Sequence, residues 1–533
     1  MPHRPRWSGG PRLVQALTAA ALALGCARSI FGPGWLVQVD TAWGPQPPPL
    51  ESGFYAPVAV LQHFLALAIG GAWTGRLYLL AVLFLCALVP MALCRDAPVW
   101  VWLPVGLLGV LNPWVYERIV EGQWAVAAAA PLLLVWLAAW EALLRDPGPR
   151  RAVLAALAAV LVAAVAVHFA GLVLVLALLS SAWVLVRRRP FPWRWAGLSA
   201  GLALVLMLYG ILPFLAGAGP DSATRLSNFG PNDFQFFQST PDPHYGLAVN
   251  LIGLQGYWGE RLARFAIAGT GPLWPLGALV LAALAVAGAW LAPERRWLLP
   301  AGLLGLAIAA STALPGGIQA MERLRELVPP LAGYREPEKW SALWLVALIV
   351  LVGEALRGAD RLARGHDARI ALALAAMLAT LVPTGLTAFR QLPATLGPVA
   401  YPADWLAARD YLAGHGGEGA TVLVLPWHRY VVLGFTGDRL TLNPAGAVFP
   451  GRLLFSTDPE IPGQGADLGS PIAVAAAAPD TPGCGLATAA RGAGAHLIVV
   501  EPILEGPAAV TALAACGYRI VEGDTGRVQV LLG

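Results

Sequence analysis

Residues 145–194 read Arg145-Asp-Pro-Gly-Pro-Arg150-Arg151, the apolar run AVLAALAAVLVAAVAVH (152–168), Phe169, the apolar run AGLVLVLALLSSAWVLVR (170–187), and Arg188-Arg189-Pro-Phe-Pro-Trp-Arg194. A helix needs about 20 apolar residues to cross a bilayer. Two such runs joined by a short turn form a hairpin, and the hairpin brings both Arg-rich ends to one side. Positive charge stays on the cytoplasmic side, so that side is the inner one.

The same rhythm extends from Leu13 to Ala388. Apolar spans are predicted at 12–31, 76–95, 97–112, 123–143, 152–168, 170–187, 195–216, 271–291, 297–314, 339–357 and 369–388, about eleven crossings. Starting inside, this count also places Arg295/Arg296 and Arg357/Arg361/Arg364/Arg369 inside and the C-terminus outside. Residues 55–71 (YAPVAVLQHFLALAIGG) are apolar, but Gln62 and His63 interrupt them, and a crossing there would invert every later loop. They are read as an interfacial or re-entrant helix. Arg4, Arg6 and Arg12 precede the first run with no small-x-small cleavage site after it, which predicts an uncleaved first helix.

Composition agrees. Apolar residues are 57% and charged residues 12% of the 533, against roughly 25% charged in soluble domains. The net charge of +4 is concentrated in the inner loops and is no nucleic-acid footprint. Among the 35 basic residues only Lys339 is a lysine. Cys26, Cys86 and Cys94 fall in or beside apolar runs and read as packing residues. Cys484 and Cys516 fall in an outer segment where a disulfide is permitted, although nothing local fixes their distance.

The outer loops are then 32–75, 217–270 and 314–338, with a short one at 112–122. After about residue 390 the composition changes. A helix is predicted over Trp405–Ala413, strands over Thr421–Leu425 and Ala495–Val500, a helix over Ala508–Ala515, and closing strands over Tyr518–Val521 and Arg527–Leu532. The fold class is therefore an α-helical polytopic membrane domain, 1–390, followed by a small extracytoplasmic α/β domain, 391–533.

The outer loops hold the chemistry. Asp40, in Val37-Gln-Val-Asp-Thr-Ala-Trp43, stands about nine residues beyond the first run. Such a carboxylate could act as a general base on a hydroxyl, or simply form a turn. In Tyr334-Arg335-Glu336-Pro337-Glu338-Lys339-Trp340, Pro337 predicts a helix start, with free N–H groups facing outward between Arg335 and Lys339. This suits a lipid-linked phosphate, and it equally describes a capped helix with snorkelling cations and an aromatic anchor. In Asn112-Pro-Trp114-Val-Tyr-Glu117-Arg118-Ile-Val-Glu-Gly122-Gln-Trp124, Glu117 and Arg118 could bind hydroxyls or phosphate and Trp114 could stack on a sugar, or the segment could be an interface turn. His168, between two runs, is read as a structural or pathway-lining residue. The 217–270 loop carries Asp221, Asp233, Asp242, His244, Tyr245, Trp258, Glu260 and Arg261, and reads as a lid over carbohydrate or acceptor. No His, Cys or Asp cluster has metal-site spacing, so no cofactor is assigned.

Together, the Asn-Pro-Trp-Val-Tyr-Glu-Arg…Gly-Gln-Trp string, the Arg335–Trp340 string and an Asp in the first outer loop resemble bacterial GT-C-type membrane glycosyltransferases, including arabinofuranosyl- and mannosyltransferase-like ones. The resemblance covers about residues 1–390. It implies an inverting transfer, outside the cytoplasmic membrane, of a sugar from a polyprenyl-phosphate donor to an envelope glycan, lipid or protein acceptor. By position, Asp40 matches the family's acceptor-activating acid, Arg335 and Lys339 would hold donor phosphate, and Glu117, Arg118, Trp114, Glu336, Tyr334 and His168 are substrate-binding candidates. Many relatives pair two acids in the first loop, whereas here Thr41 follows Asp40; this leaves metal dependence and a non-catalytic member open. A membrane scaffold and a lipid or polysaccharide transporter are the alternatives. Few charges fall mid-span, which disfavours transport.

Overall fold

A computed structural model describes the chain except residues 1–9, 218–229, 263–273, 363–364, 382–384, 417–418, 457–469, 477–483, 504–505 and 524–526. Asp221 lies outside the described residues. The chain divides into two compact units. One comprises Met1–Arg28, Leu50–Val60 and Tyr78–Thr395; the other comprises Ser29–Pro49, Leu61–Leu77 and Leu396–Gly533. The division near residue 395 lies close to the sequence boundary at 390. The second unit also takes in 29–49, which the sequence had assigned to the membrane domain.

The first unit is helical. Among the described residues six helices are long and apolar enough to cross a membrane, or eight if each of two bent pairs is one span. About eleven crossings therefore do not follow from helix length. The runs expected at 12–31, 152–168 and 369–388 form the helices Gly10–Cys26, Pro149–Val165 and His366–Thr380, of 17, 17 and 15 residues. At 1.5 Å per residue these reach at most about 25 Å, short of a hydrocarbon core of about 30 Å. Local signals explain one of these limits: Pro149 starts its helix, and the Ala166–His168 turn ends it. A 104° bend separates Leu298–Ala313 from Gly317–Leu327, so the expected outer loop 314–338 contains a helix of its own.

Close packing uses small residues, as expected where apolar burial alone does not favour association. A Cβ on Gly288 would strike the Leu351 carbonyl, so the glycine lets helix Trp274–Leu291 approach helix Ala342–Leu362. Arg295 and Arg357 pair with Glu354 at 2.7 and 2.9 Å.

The second unit is built on a five-stranded sheet of order β4-β1-β5-β7-β6. The strands are β1 (Thr421–Leu425), β4 (Arg452–Leu454), β5 (Ala495–Val500), β6 (Arg519–Glu522) and β7 (Gln529–Leu532). β2 (Tyr430–Val432) and β3 (Leu440–Leu442) form a separate antiparallel pair. β4, β1 and β5 run parallel. Successive residues point to opposite faces, and both faces of the central strands are covered, so β1 and β5 are mostly apolar. Val422, Val424, Leu497 and Val499 enter one core, and Leu423, Leu425, Ile498 and Val500 enter the other. The first core also contains Val37 from the 29–49 segment. Cys484 and Cys516 form a disulfide.

The short helix Ala56–Ile69, 14 residues long, joins Gly71–Leu93 through Gly70 at φ 80°. It is too short to span, in line with the interfacial reading of 55–71. Phe64 and Leu67 on it are exposed by 60% and 61%.

Candidate functional site

In the helical unit, candidates from separate loops meet. Helix Pro113–Glu121 is fixed at both ends by its sequence: the Asn112 side chain accepts from Val115 N, Pro113 opens the first turn, and Gly122 closes it at φ 86°. All nine of its residues are buried, including Glu117, Arg118 and Glu121. Arg118, wholly buried, donates to Glu338 Oε1 at 2.9 Å and to Gln123 Oε1 at 2.7 Å. Its guanidinium lies over the Tyr257 ring at 4.3 Å and the Trp114 ring at 5.5 Å. This geometry makes Trp114 and Tyr257 platforms for the arginine.

Glu338 comes from the Pro337–Ser341 turn, a 3₁₀ helix that leads into Ala342–Leu362. Pro337 occupies its first position, as predicted. Lys339 Nζ donates to Glu336 Oε1 at 2.8 Å, and Trp258 Nε1 donates to Glu336 Oε2 at 3.3 Å. Burial opposes ionisation of Glu336, but Lys339, Arg118 and Arg335 outweigh it and hold the carboxyl well below its usual range. Arg335 lies over the Phe237 ring at 5.0 Å. Tyr334 stands between Trp340 and His168, at ring distances of 5.3 and 6.0 Å. A Cβ on Gly171 would collide with the Tyr334 hydroxyl.

Glu260, from the 217–270 loop, adjoins Glu117. It also accepts from Gly256 N at 2.7 Å and Asn250 Nδ2 at 3.2 Å. Burial raises Glu260 above its ordinary value. Every candidate named in 112–122, 168 and 334–339 thus belongs to this neighbourhood. Sequence reasoning did not single out Glu338, Asn250, Tyr257 or Gln123. Buried polar residues in an aromatic loop were the available signal, but their partners lie up to 220 residues away.

Asp40 lies in the other unit. Val37 bridges Ala42 and Gln38 N donates to Thr41 O at 2.7 Å, leaving Val39 and Asp40 at a hairpin tip. Arg76, buried, holds the approach to this hairpin by donating to the carbonyls of Ile30, Gly32 and Gly34. Leu442 N donates to Gln38 O at 3.0 Å, and Tyr430 Oη donates to Asp40 Oδ1 at 3.1 Å. Asp40 is half-buried. The turn reading and the contact with a distant side chain therefore both hold. Among the described residues no group of three His, Cys, Asp or Glu side chains could hold a metal ion.

The sequence matches no protein-family model and no curated protein. The fold is similar to the cryo-EM structure of the arabinofuranosyltransferase AftD from Mycobacteria, at 17% identity and a TM-score of 0.63, over 99% of this chain and 40% of that one. A point mutant of AftD matches at 16% identity and a TM-score of 0.57, over 99% and 42%. This chain thus spans well under half the length of AftD, and at such identity the likeness is one of fold.

Proposed function

We propose that this protein is an integral membrane glycosyltransferase that moves a sugar from a polyprenyl-phosphate donor to an extracytoplasmic glycan, lipid or protein acceptor. The observation that carries the reading is the shared fold with an arabinofuranosyltransferase along nearly the whole chain. An arabinofuranosyl donor is accordingly the first to try.

Asp40 is the base. It takes the proton of an acceptor hydroxyl as that oxygen attacks the anomeric carbon. The bond from that carbon to the phosphate breaks with its electrons, polyprenyl phosphate departs, and the configuration inverts. Arg335 and Lys339 hold the donor phosphate and stabilise its growing charge. Lys339 carries three N–H donors, and Glu336 takes one of them. Glu117, Arg118, Trp114, Glu336, Tyr334 and His168 line the donor's surroundings. The protein lies in the inner membrane with its N-terminus inside and the C-terminal unit outside. The Arg-rich loops support this orientation, as does the Cys484–Cys516 disulfide, since disulfides persist in oxidising compartments.

One observation favours the scaffold reading: the buried charges are paired with one another, Arg118 with Glu338 and Lys339 with Glu336. The two readings separate in an assay of labelled sugar transfer from polyprenyl-phospho-arabinofuranose by the purified protein. Transfer with inversion, and a donor KM raised about tenfold in Lys339→Ala, are expected. A Lys339→Ala variant with an unchanged donor KM would remove the phosphate role.

A further inference from the structure

The Asp40 hairpin and the carboxyl edge of the sheet belong to one unit. β1 lies between β4 and β5, and the connections that follow β1 and β5 leave in opposite directions. In open α/β sheets, ligands bind outside the carboxyl ends of strands at such a switch point. The residues that follow β1 are Pro426-Trp427-His428-Arg429-Tyr430, and the residue that follows β5 is Glu501.

A continuous chain of hydrogen bonds connects these segments to Asp40. Glu501 is wholly buried, and its backbone N donates to Leu425 O at 2.7 Å, tying β5 to β1. Its Oε2 accepts from Asn443 Nδ2 at 3.2 Å. The same Nδ2 donates to His428 O at 3.3 Å, and Asn443 N donates to Arg429 O at 2.7 Å. Asn443 therefore clamps the two residues before Tyr430, and Tyr430 donates to Asp40. Leu442, the residue before Asn443, bonds the hairpin backbone at Gln38. Side chain and backbone of the hairpin are thus held from the same two strands.

We propose that Tyr430 is the positioning residue for Asp40, and that the Glu501–Asn443 pair sets Tyr430, so that the C-terminal unit builds the base of the reaction. The proposal rests on Asp40 being that base. A phenol hydrogen bond fixes the orientation of the carboxylate that must meet the acceptor hydroxyl. A base misplaced by about 1 Å can lose on the order of a hundredfold in rate. The effect falls on proton removal, not on donor binding.

The test uses the full chain in nanodiscs, with polyprenyl-phospho-arabinofuranose as donor and a short arabinan as acceptor. Tyr430→Phe removes one oxygen. It is expected to lower kcat by about 10- to 100-fold with donor KM within about twofold, to speed amide exchange over 35–43, and to leave thermal unfolding unchanged. Glu501→Ala is expected to lower kcat too, whereas Glu501→Gln, which keeps an oxygen for Asn443, loses clearly less. A Tyr430→Phe protein with wild-type kcat, beside an inactive Asp40→Asn, overturns the positioning role and spares the base. An Asp40→Asn protein with full activity overturns the base itself.

Discussion

The two candidate regions differ in how their charges are held. In the helical unit, Arg118, Glu336, Glu338 and Lys339 are buried and paired side chain to side chain. In the other unit, Asp40 is half-buried at a hairpin tip, and its described side-chain bond is to a neutral phenol. Buried ion pairs offset their own desolvation and fix geometry; breaking one leaves a charge stranded. A carboxylate at a turn, bonded to a neutral phenol, is a group of the kind that serves as a general base. The first arrangement suits a rigid platform for a charged ligand, and the second suits a reacting group.

Substitutions can break this comparison. Arg118→Ala strands Glu338 and removes the cation from above Tyr257, so it should cost about 3–5 kcal/mol of stability, read as a fall in the detergent unfolding midpoint and in yield. If Arg118→Ala unfolds like wild type, the platform reading fails. Next in size, Cys484→Ser should destabilise the C-terminal unit by about 2–4 kcal/mol, with reductant reproducing the loss in wild type. Equal midpoints with and without reductant would mean the bond does not form in the protein.

A smaller effect sharpens the account of the second unit. Burial pushes Glu501 up to about 8. A carboxyl raised on folding binds its proton more tightly in the folded state, so its contribution to stability is present below its unfolded value of about 4.5 and is lost as pH rises towards 8. Glu501→Gln should flatten this decline, by on the order of 1–3 kcal/mol between pH 5 and 8. A wild-type profile identical to that of the variant would show that Glu501 ionises freely.

Much of the fold was legible because apolar runs carry it. The strands Thr421–Leu425 and Ala495–Val500 were predicted to the residue. Both are mostly apolar runs whose residues alternate between two buried cores, with only Thr421 and the exposed His496 as polar members. Span number was less legible: residues 12–31 have the right hydropathy, but the helix described there, Gly10–Cys26, has 17 residues. The site was half legible. Glu117, Arg118, Tyr334, Glu336 and Lys339 stand in two conspicuous strings, yet the pairing of Arg118 with Glu338 spans 220 residues. The contact between Tyr430 and Asp40 spans 390 residues and crosses the expected domain boundary, so no local pattern announces it.

The most direct measurement is the initial rate of labelled arabinofuranose transfer by wild type and Asp40→Asn, purified side by side with matched unfolding midpoints. The account predicts that Asp40→Asn loses about 10²- to 10⁴-fold in kcat, the usual contribution of a general base, with donor KM little changed. Transfer by Asp40→Asn within about twofold of wild type would contradict it.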